Sequence, residues 1–332
     1  MTIPTFRGYL VEQVGDHPAG RLADLTESQL PAGNVTIRVA YSALNYKDAL
    51  AARGHPGVAK SLPHVPGVDA AGTVVASEDD RFCEGDEVVV TGNELGAGQW
   101  GGWAEFIRVP GDWIIPRPAS LSLLETMILG TAGFTAAQCV QAIKRQEIQP
   151  DNGEVLVTGA TGGVGCLAVK LLAHLGYQVV ASTGKAELAE RLQSWGAARV
   201  IDRQQVSNNS QRPLLSARWA AAVDTVGGNT LTTVLRETKP YGCVAACGLV
   251  AGADLKMTVH PFLLRGITLA GIASATCPFS RRQEIWRLLA NDWRLDRLDE
   301  IATVIELADI GAAVEKILRG EIVGRTVIRI AN

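Results

Sequence analysis

Short alternating apolar runs occupy the chain up to about Ala119: Thr36-Ile-Arg-Val-Ala40, Ala71-Gly-Thr-Val-Val75 and Asp86-Glu-Val-Val-Val90, separated by Gly, Pro and Asp turns. That spacing predicts the strands of an irregular β domain. Around Leu121 the period lengthens, with Leu124, Met127 and Ile128 leading through Gly130-Thr-Ala-Gly-Phe-Thr-Ala137 into a helical stretch that runs to about Gln146. From Gly153 strands and helices alternate. Six runs read as strands: Val155–Thr158, Gln178–Ser182, Arg199–Asp202, Ala221–Thr225, Gly242–Cys247 and Thr268–Ala273. They predict an α/β protein built on a doubly wound parallel sheet. Ile310–Leu318 then reads as an amphipathic helix, and Gly324-Arg-Thr-Val-Ile-Arg-Ile330 returns to strand alternation. Since the sheet is already complete, this tail is expected to rejoin the β domain. The domains are therefore drawn as 1–122 with 303–332, and 123–302.

The join between the first of the six strands and its helix carries the clearest chemistry. Val155-Leu-Val-Thr-Gly-Ala-Thr-Gly-Gly-Val-Gly165 breaks an apolar run into glycines, and Leu167, Leu171, Leu172 and Leu175 then recur at helical spacing until Gly176. Gly159, Gly162 and Gly165 suit a chain reversal, close approach of backbone to phosphate, and tight contact of helix on strand. The following helix offers its first N–H groups to an anion. With Thr161, Gly163 and Val164 they form the candidate site for a dinucleotide pyrophosphate. Glycines at three-residue intervals vary the commoner GxGxxG spacing, so the strand before and the helix after carry the assignment.

Composition narrows the class of ligand. Lys and Arg number 31 against 34 Asp and Glu, a net charge of −3, which gives no bulk attraction to nucleic acid or to an anionic membrane. The N-terminal residues lack the basic-then-apolar pattern of a signal peptide, and no uncharged apolar run reaches spanning length, so a cytoplasmic protein is expected. Six cysteines without a Cys-x-x-Cys pair read as free thiols, buried and without metal. After the second strand of a dinucleotide fold a carboxylate usually meets the adenosine ribose. Here the position reads Ala181-Ser-Thr-Gly-Lys185, with no carboxylate before Glu187. Ser182, Thr183, Gly184 and Lys185, joined by Arg203 after the third strand, would receive a 2′-phosphate, which favours NADPH over NADH. The alternative is that both cations are solvated loop residues.

Several further motifs resemble those of the medium-chain dehydrogenase/reductase superfamily, in its zinc-free quinone oxidoreductase and acrylyl-CoA reductase branch. They are Ser42-Ala-Leu-Asn-Tyr-Lys-Asp48, Val65-Pro-Gly-Val-Asp-Ala-Ala-Gly-Thr-Val74, Trp100-Gly-Gly-Trp-Ala-Glu105, Gly130-Thr-Ala-Gly-Phe-Thr135, the glycine turn, and Gly324-Arg-Thr-Val327. The resemblance implies a Rossmann domain for NADPH, a GroES-like irregular β-barrel as catalytic domain, an active site in the cleft between them, and a homodimer paired through Thr268–Ala273. It also implies that Asn45 and Tyr46 lie against the nicotinamide ribose. Zinc-dependent relatives place a cysteine near the position of Asn45 and a histidine at that of Val68; neither is present, so no metal is expected. His64 nearby reads as a packing or surface residue.

Reduction of a conjugated C=C bond needs a donor for the developing enolate oxygen and an acid for the α-carbon. Tyr46 has the phenol for either task, and the alternative is a hydroxyl that only positions the cofactor. Thr131 and Phe134, at the domain junction, are expected to wall the cleft, and Thr131, together with Leu249 and Ser274 at the ends of late strands, to meet the cofactor. Lys47 and Asp48 read as a local ion pair or helix cap. Trp100 reads as a pocket wall or a core plug. Arg265, Arg281 and Arg282 could meet a CoA phosphate, against the plainer reading of solvated surface arginines. The expected activity is NADPH-dependent reduction of a short α,β-unsaturated acyl-CoA, with a quinone or enone reductase and a non-catalytic NADPH-binding protein as alternatives.

Overall fold

The computed structural model describes residue 3 and residues 5–331, and the chain divides into two compact units. The first comprises Met1–Thr131, Ala275–Asn291 and Asp296–Asn332. Its strands β1 (Phe6–Val14) and β2 (His17–Leu25) form an antiparallel ladder joined through Gly15 at φ 60°. The remaining strands are β3 (Val35–Leu44), β4 (Asp69–Ser77), β5 (Glu87–Thr91), β6 (Phe106–Val109), β7 (Ile114–Pro116), β14 (Ala302–Glu306) and β15 (Arg325–Arg329). They make one sheet in the order β14-β15-β3-β4-β5-β7, with β6 added to β3. The tail thus joins the β domain: β15 runs antiparallel to β3, Thr326 opposite Leu44. Inward-facing Phe6, Val35, Ile37, Val74, Val88 and Ile328 form the core. Trp103 is its largest plug, wholly buried, edge-on to Tyr9, with Nε1 donating to the Ala43 carbonyl at 3.2 Å. Trp100, the other indole of that motif, is only partly buried and donates to the Pro63 carbonyl.

Two helices of the first unit matter below. α1 (Tyr46–Ala52) starts where Asn45 turns the chain at φ −120°, ψ 163°, and Asn45 and Asp48 form a reciprocal capping box. The cap reading of Asp48 is the one the structure takes. α2 (Leu123–Arg145) begins with Ser122 and Glu125 capping each other, and breaks at Gly130, whose φ of 48° and ψ of −154° are non-helical. Although α2 is long and apolar enough to cross a membrane, 78% of its most apolar stretch is buried inside the protein. α7 (Phe279–Ala290) and α8 (Ile310–Leu318) complete the unit.

The second unit, Ala132–Ser274 with Asp292–Leu295, contains the six parallel strands β8 (Val155–Val157), β9 (Val179–Thr183), β10 (Arg199–Asp202), β11 (Trp219–Asp224), β12 (Thr238–Ala246) and β13 (Thr268–Gly271). Their order is β10-β9-β8-β11-β12-β13. The helices between them include α3 (Gly163–His174), α4 (Ala189–Ser194), α5 (Gly228–Glu237) and α6 (His260–Arg265). Strands buried on both faces read as continuous apolar runs, and β8, β9 and β11 are buried at every position. β12 starts four residues earlier than its pattern suggested, because Thr238-Lys-Pro-Tyr-Gly242 does not look like a buried strand. α3 ends as Gly176 takes φ 84° and the Tyr177 N–H returns to the Leu172 carbonyl.

The arginines that could have met a CoA phosphate are mostly spent inside their units. Arg265 donates to the carbonyls of Arg236, Thr238 and Leu215. Arg282, 1% exposed, donates to the Thr91 carbonyl and hydroxyl and to the Ala275 carbonyl. Each satisfies carbonyls left over at strand or loop ends, a use that residue type alone does not announce.

Candidate functional site

The glycine turn leaves β8 where the strand order reverses between β8 and β11, the usual place for a nucleotide in an open parallel sheet. Its three glycines answer different needs. Gly159 takes φ 59°, and a Cβ there would lie 2.3 Å from the Thr225 hydroxyl. At Gly165 a Cβ would lie 2.3 Å from the Gly159 carbonyl oxygen, so only glycine lets α3 close on the turn. Gly162 has an ordinary φ of −80° and would meet that carbonyl at 3.3 Å, which makes it the least constrained. As N-cap, Gly162 brings no side chain to the N–H groups of Gly163, Val164 and Gly165, leaving that helix end to an anion.

Beneath the turn, fully buried Asp224 accepts from the Thr158 hydroxyl and the Gly227 N–H, each at 2.7 Å. Burial pushes its pKa up. Ser182 and Thr183 end β9 in buried positions, and the Thr183 hydroxyl lies 3.5 Å from that of Thr161 and accepts the Lys185 N–H at 3.1 Å. A Cβ on Gly184 would sit 2.8 Å from Cδ and Nε of Arg203, so the guanidinium lies directly against this glycine. The structure therefore gathers Ser182, Thr183, Gly184, Lys185 and Arg203 at one strand end. A turn that only glycine can make, an uncapped helix end and an arginine laid against Gly184, with Lys185 next in the chain, fit a dinucleotide carrying an extra phosphate. Leu249, 66% exposed, follows β12, and Ser274 follows β13, both beyond strand ends as expected.

In the first unit the Ser42–Asp48 motif becomes a buried polar hub. The Asn45 Nδ2 donates to Asp48 Oδ2 at 3.0 Å and to Asp69 Oδ2 at 2.8 Å, while its Oδ1 accepts from Arg325 Nη1 at 3.1 Å. Both amide hydrogens are thereby committed within the protein. Asp48 also accepts the Asn45 and Val68 N–H groups, each at 2.8 Å. Asp69 Oδ1 takes the Thr131 N–H at 2.9 Å and its hydroxyl at 2.6 Å. Arg325 gives Nε to the Ile128 carbonyl at 2.8 Å. Asp48 and Asp69 have no exposed surface and Arg325 is 2% exposed. Burial, and secondly the charge of Asp69, push the Asp48 pKa up to about 7 against the pull of its hydrogen bonds.

Tyr46, by contrast, is 45% exposed at the first residue of α1. Of the pair read as candidate catalytic residues, Asn45 has its side chain spent within the hub, whereas Tyr46 is nearly half exposed. Phe134 is completely buried, a core residue of α2. His64 is buried as well, its backbone paired with Val11 and its pKa lowered by desolvation.

These arrangements have known counterparts. The chain matches the zinc-binding dehydrogenase family over residues 163–291 and the alcohol dehydrogenase GroES-like domain over residues 31–119. It is 44% identical over 321 residues to the probable acrylyl-CoA reductase AcuI of Escherichia coli strain K12, covering 97% of this chain and 98% of that protein. The putative quinone oxidoreductase YhfP of Bacillus subtilis strain 168 is 42% identical over 326 residues, 98% and 99% of the two chains. The chain belongs to the medium-chain dehydrogenase/reductase superfamily. Among solved medium-chain structures, Bacillus subtilis yhfP with NAD bound aligns at a TM-score of 0.96 with 42% identity, over 99% of this chain and 100% of that one. The yhdH oxidoreductase of Salmonella enterica in complex with NADP aligns at 0.95 with 46% identity, over 98% and 100%.

Within this medium-chain fold the first unit is the GroES-like domain and the second the nucleotide domain. Among the described residues no three His, Cys, Asp or Glu side chains gather as a metal site. Asp48 was read from the sequence only as a cap or ion-pair partner, and Asp69 and Arg325 only as parts of medium-chain motifs. A carboxylate between Val68 and Ala70, and an arginine heading an apolar strand, were the available signals: a charge inside a buried run implies a buried partner.

Proposed function

We propose that the protein reduces the C=C bond of a short α,β-unsaturated acyl-CoA, acrylyl-CoA being the reference substrate, with NADPH as reductant and without a metal. Bound NADPH supplies the hydride to the β-carbon; the chain's residues bind, orient and protonate. The turn from Gly159 to Gly165 holds the pyrophosphate, with Thr161 beside it, and Leu249, Ser274 and Thr131 complete the cofactor contacts. The observation carrying the catalytic reading is Tyr46, a half-exposed tyrosine on the first turn of a helix whose N-cap is locked into a buried network. Its hydroxyl donates to the carbonyl oxygen as negative charge develops there, or delivers the proton to the α-carbon. Val68 has no ligating atom and the Asn45 Oδ1 already accepts from the Arg325 guanidinium, which supports the metal-free reading.

Similarity to AcuI favours the acyl-CoA, and similarity to YhfP keeps a quinone or enone as the second reading. A panel of acrylyl-CoA, crotonyl-CoA, a free enone and a quinone, followed by NADPH oxidation, tests this. The expected result is a kcat/KM for acrylyl-CoA at least about tenfold above that for the enone or quinone. A quinone in first place would transfer the assignment to the second reading, and NADPH binding without turnover of any acceptor would remove both.

Lys185 and Arg203 should make the dissociation constant for NADPH at least about tenfold lower than for NADH, each cation contributing through the 2′-phosphate alone. Lys185→Ala and Arg203→Ala should each erode that ratio and leave NADH affinity unchanged, read by nucleotide fluorescence titration. Equal constants in the unmodified protein would sink the phosphate assignment. We also infer a homodimer: β13 pairs on one side only, with β12, and leaves its other edge partly exposed. Light scattering at micromolar concentration should give twice the chain mass.

A further inference from the structure

We propose that Asp69, Asp48 and Arg325 are positioning residues of the reaction, holding Asn45 and Thr131 and, through Asn45, the first turn of the helix that presents Tyr46. The inference rests on the reading of Tyr46 given above and names what keeps its phenol in place.

Four separated pieces of chain meet at the hub: the end of β3 at Asn45, the start of β4 at Asp69, the break of α2 at Gly130-Thr131, and the start of β15 at Arg325. Asn45 is tied on three sides. Two carboxylates take its amide hydrogens, a guanidinium reaches its oxygen, and Asp48 also takes its backbone N–H. Since Asn45 is the N-cap of α1, fixing its backbone fixes the direction in which Tyr46, the next residue, leaves the chain.

Asp69 binds Asn45 with one oxygen and Thr131 with the other, so one carboxylate sets two residues assigned to the reaction or its cofactor. The break in α2 is fitted to this contact. At Gly130 a Cβ would lie 2.7 Å from Asp69 Oδ2 and 3.1 Å from Arg325 Nη2, and φ is 48°, so only glycine lets the helix interrupt itself there and turn the Thr131 N–H onto Asp69. Stability alone does not explain two buried carboxylates and a guanidinium, because apolar residues of similar volume serve a core equally well or better. What such a network adds is one defined geometry for Tyr46 and Thr131.

Asp69→Asn tests the idea, because a carboxamide cannot accept from Asn45 and from Thr131 at the same time. In a folded variant, kcat on whichever acceptor the enzyme uses should fall at least about tenfold, with the acceptor KM within about threefold. In a Tyr46→Phe background the same change should cost several-fold less than it does alone, since the part that acts through the phenol is already removed. In the cofactor-free protein, Asp69→Ala, which removes both acceptor oxygens, should accelerate amide hydrogen exchange at Thr131 at least about tenfold while the amides of β8 to β12 keep their rates. If Asp69→Asn does not fold, Arg325→Lys, which removes the guanidinium donor to the Asn45 oxygen, carries the same kcat and double-variant expectations with a smaller fall in kcat. Full additivity with Tyr46→Phe, or kcat unchanged in a folded variant, would overturn the proposal. Should every acceptor fail, the reading of function fails with them; exchange at Thr131 still decides the network, and unchanged exchange there would overturn it.

Discussion

Tyr46→Phe is expected to lower turnover about a hundredfold or more and to leave the folded protein otherwise unaltered, because general acid or oxyanion donation by one positioned group is worth that much. The substitution removes a single oxygen from a residue nearly half exposed on the first turn of α1, so no core contact is lost and the melting temperature should hold. The split between kinetic constants carries the interpretation. A fall in kcat and in kcat/KM together means the hydroxyl acts in the transition state, whereas a rise in the KM for NADPH at constant kcat means it only positions the cofactor. The second outcome would remove Tyr46 from the chemistry and leave the assignment without an acid.

Stability against unfolding should decline between about pH 4 and pH 7 on account of Asp48, by on the order of 4 kcal/mol, and level off above. Its carboxyl is raised from an ordinary 3.8 to about 7 by burial first and by the charge of Asp69 second. In that window the folded protein keeps the proton and the unfolded chain has lost it, so each step up in pH favours unfolding; below 4 both states are protonated and the contribution is complete. The groups set around this titration are Asp69, whose charge opposes ionisation, Arg325 on the far side of Asn45, and Arg282, which feels the Asp69 charge. Asp224 is shifted in the same direction by burial, so the comparison must be differential. Denaturant unfolding of wild type and Asp48→Asn across this range isolates the group. A difference in unfolding free energy that stays constant with pH would mean that Asp48 is ionised throughout.

Legibility followed sequence distance. The glycine turn, the six strands and the return of the tail to the β domain were readable because each rests on a local pattern: period two, period 3.6, or a glycine where only glycine fits. Asp48 was readable as a cap because its partner Asn45 stands three residues away. The rest of the hub was not. Asn45 meets Asp69 across 24 positions and Arg325 across 280, and Thr131 meets Asp69 across 62. Nothing in a window of sequence reports such meetings. Charge misled in the same way at Arg265 and Arg282, where residue type suggested a phosphate and burial supplied backbone carbonyls. Of the two readings of Trp100 the core plug falls away: Trp103 fills the core, while Trp100, three residues earlier, is only partly buried.

The place of β15 orders the events of folding. The strands and intervening helices of the nucleotide unit lie in one contiguous stretch, Ala132–Ser274, and can pair as they leave the ribosome. The β domain instead holds an open place beside β3 until Thr326 arrives opposite Leu44, and two carboxylates wait near it without their guanidinium. Long-range closure of this kind is slow. A nascent chain is therefore expected to pair its nucleotide-unit strands before β15 can close beside β3. If Tyr46 acts as proposed, competence for the reaction arrives last, with the closing strand.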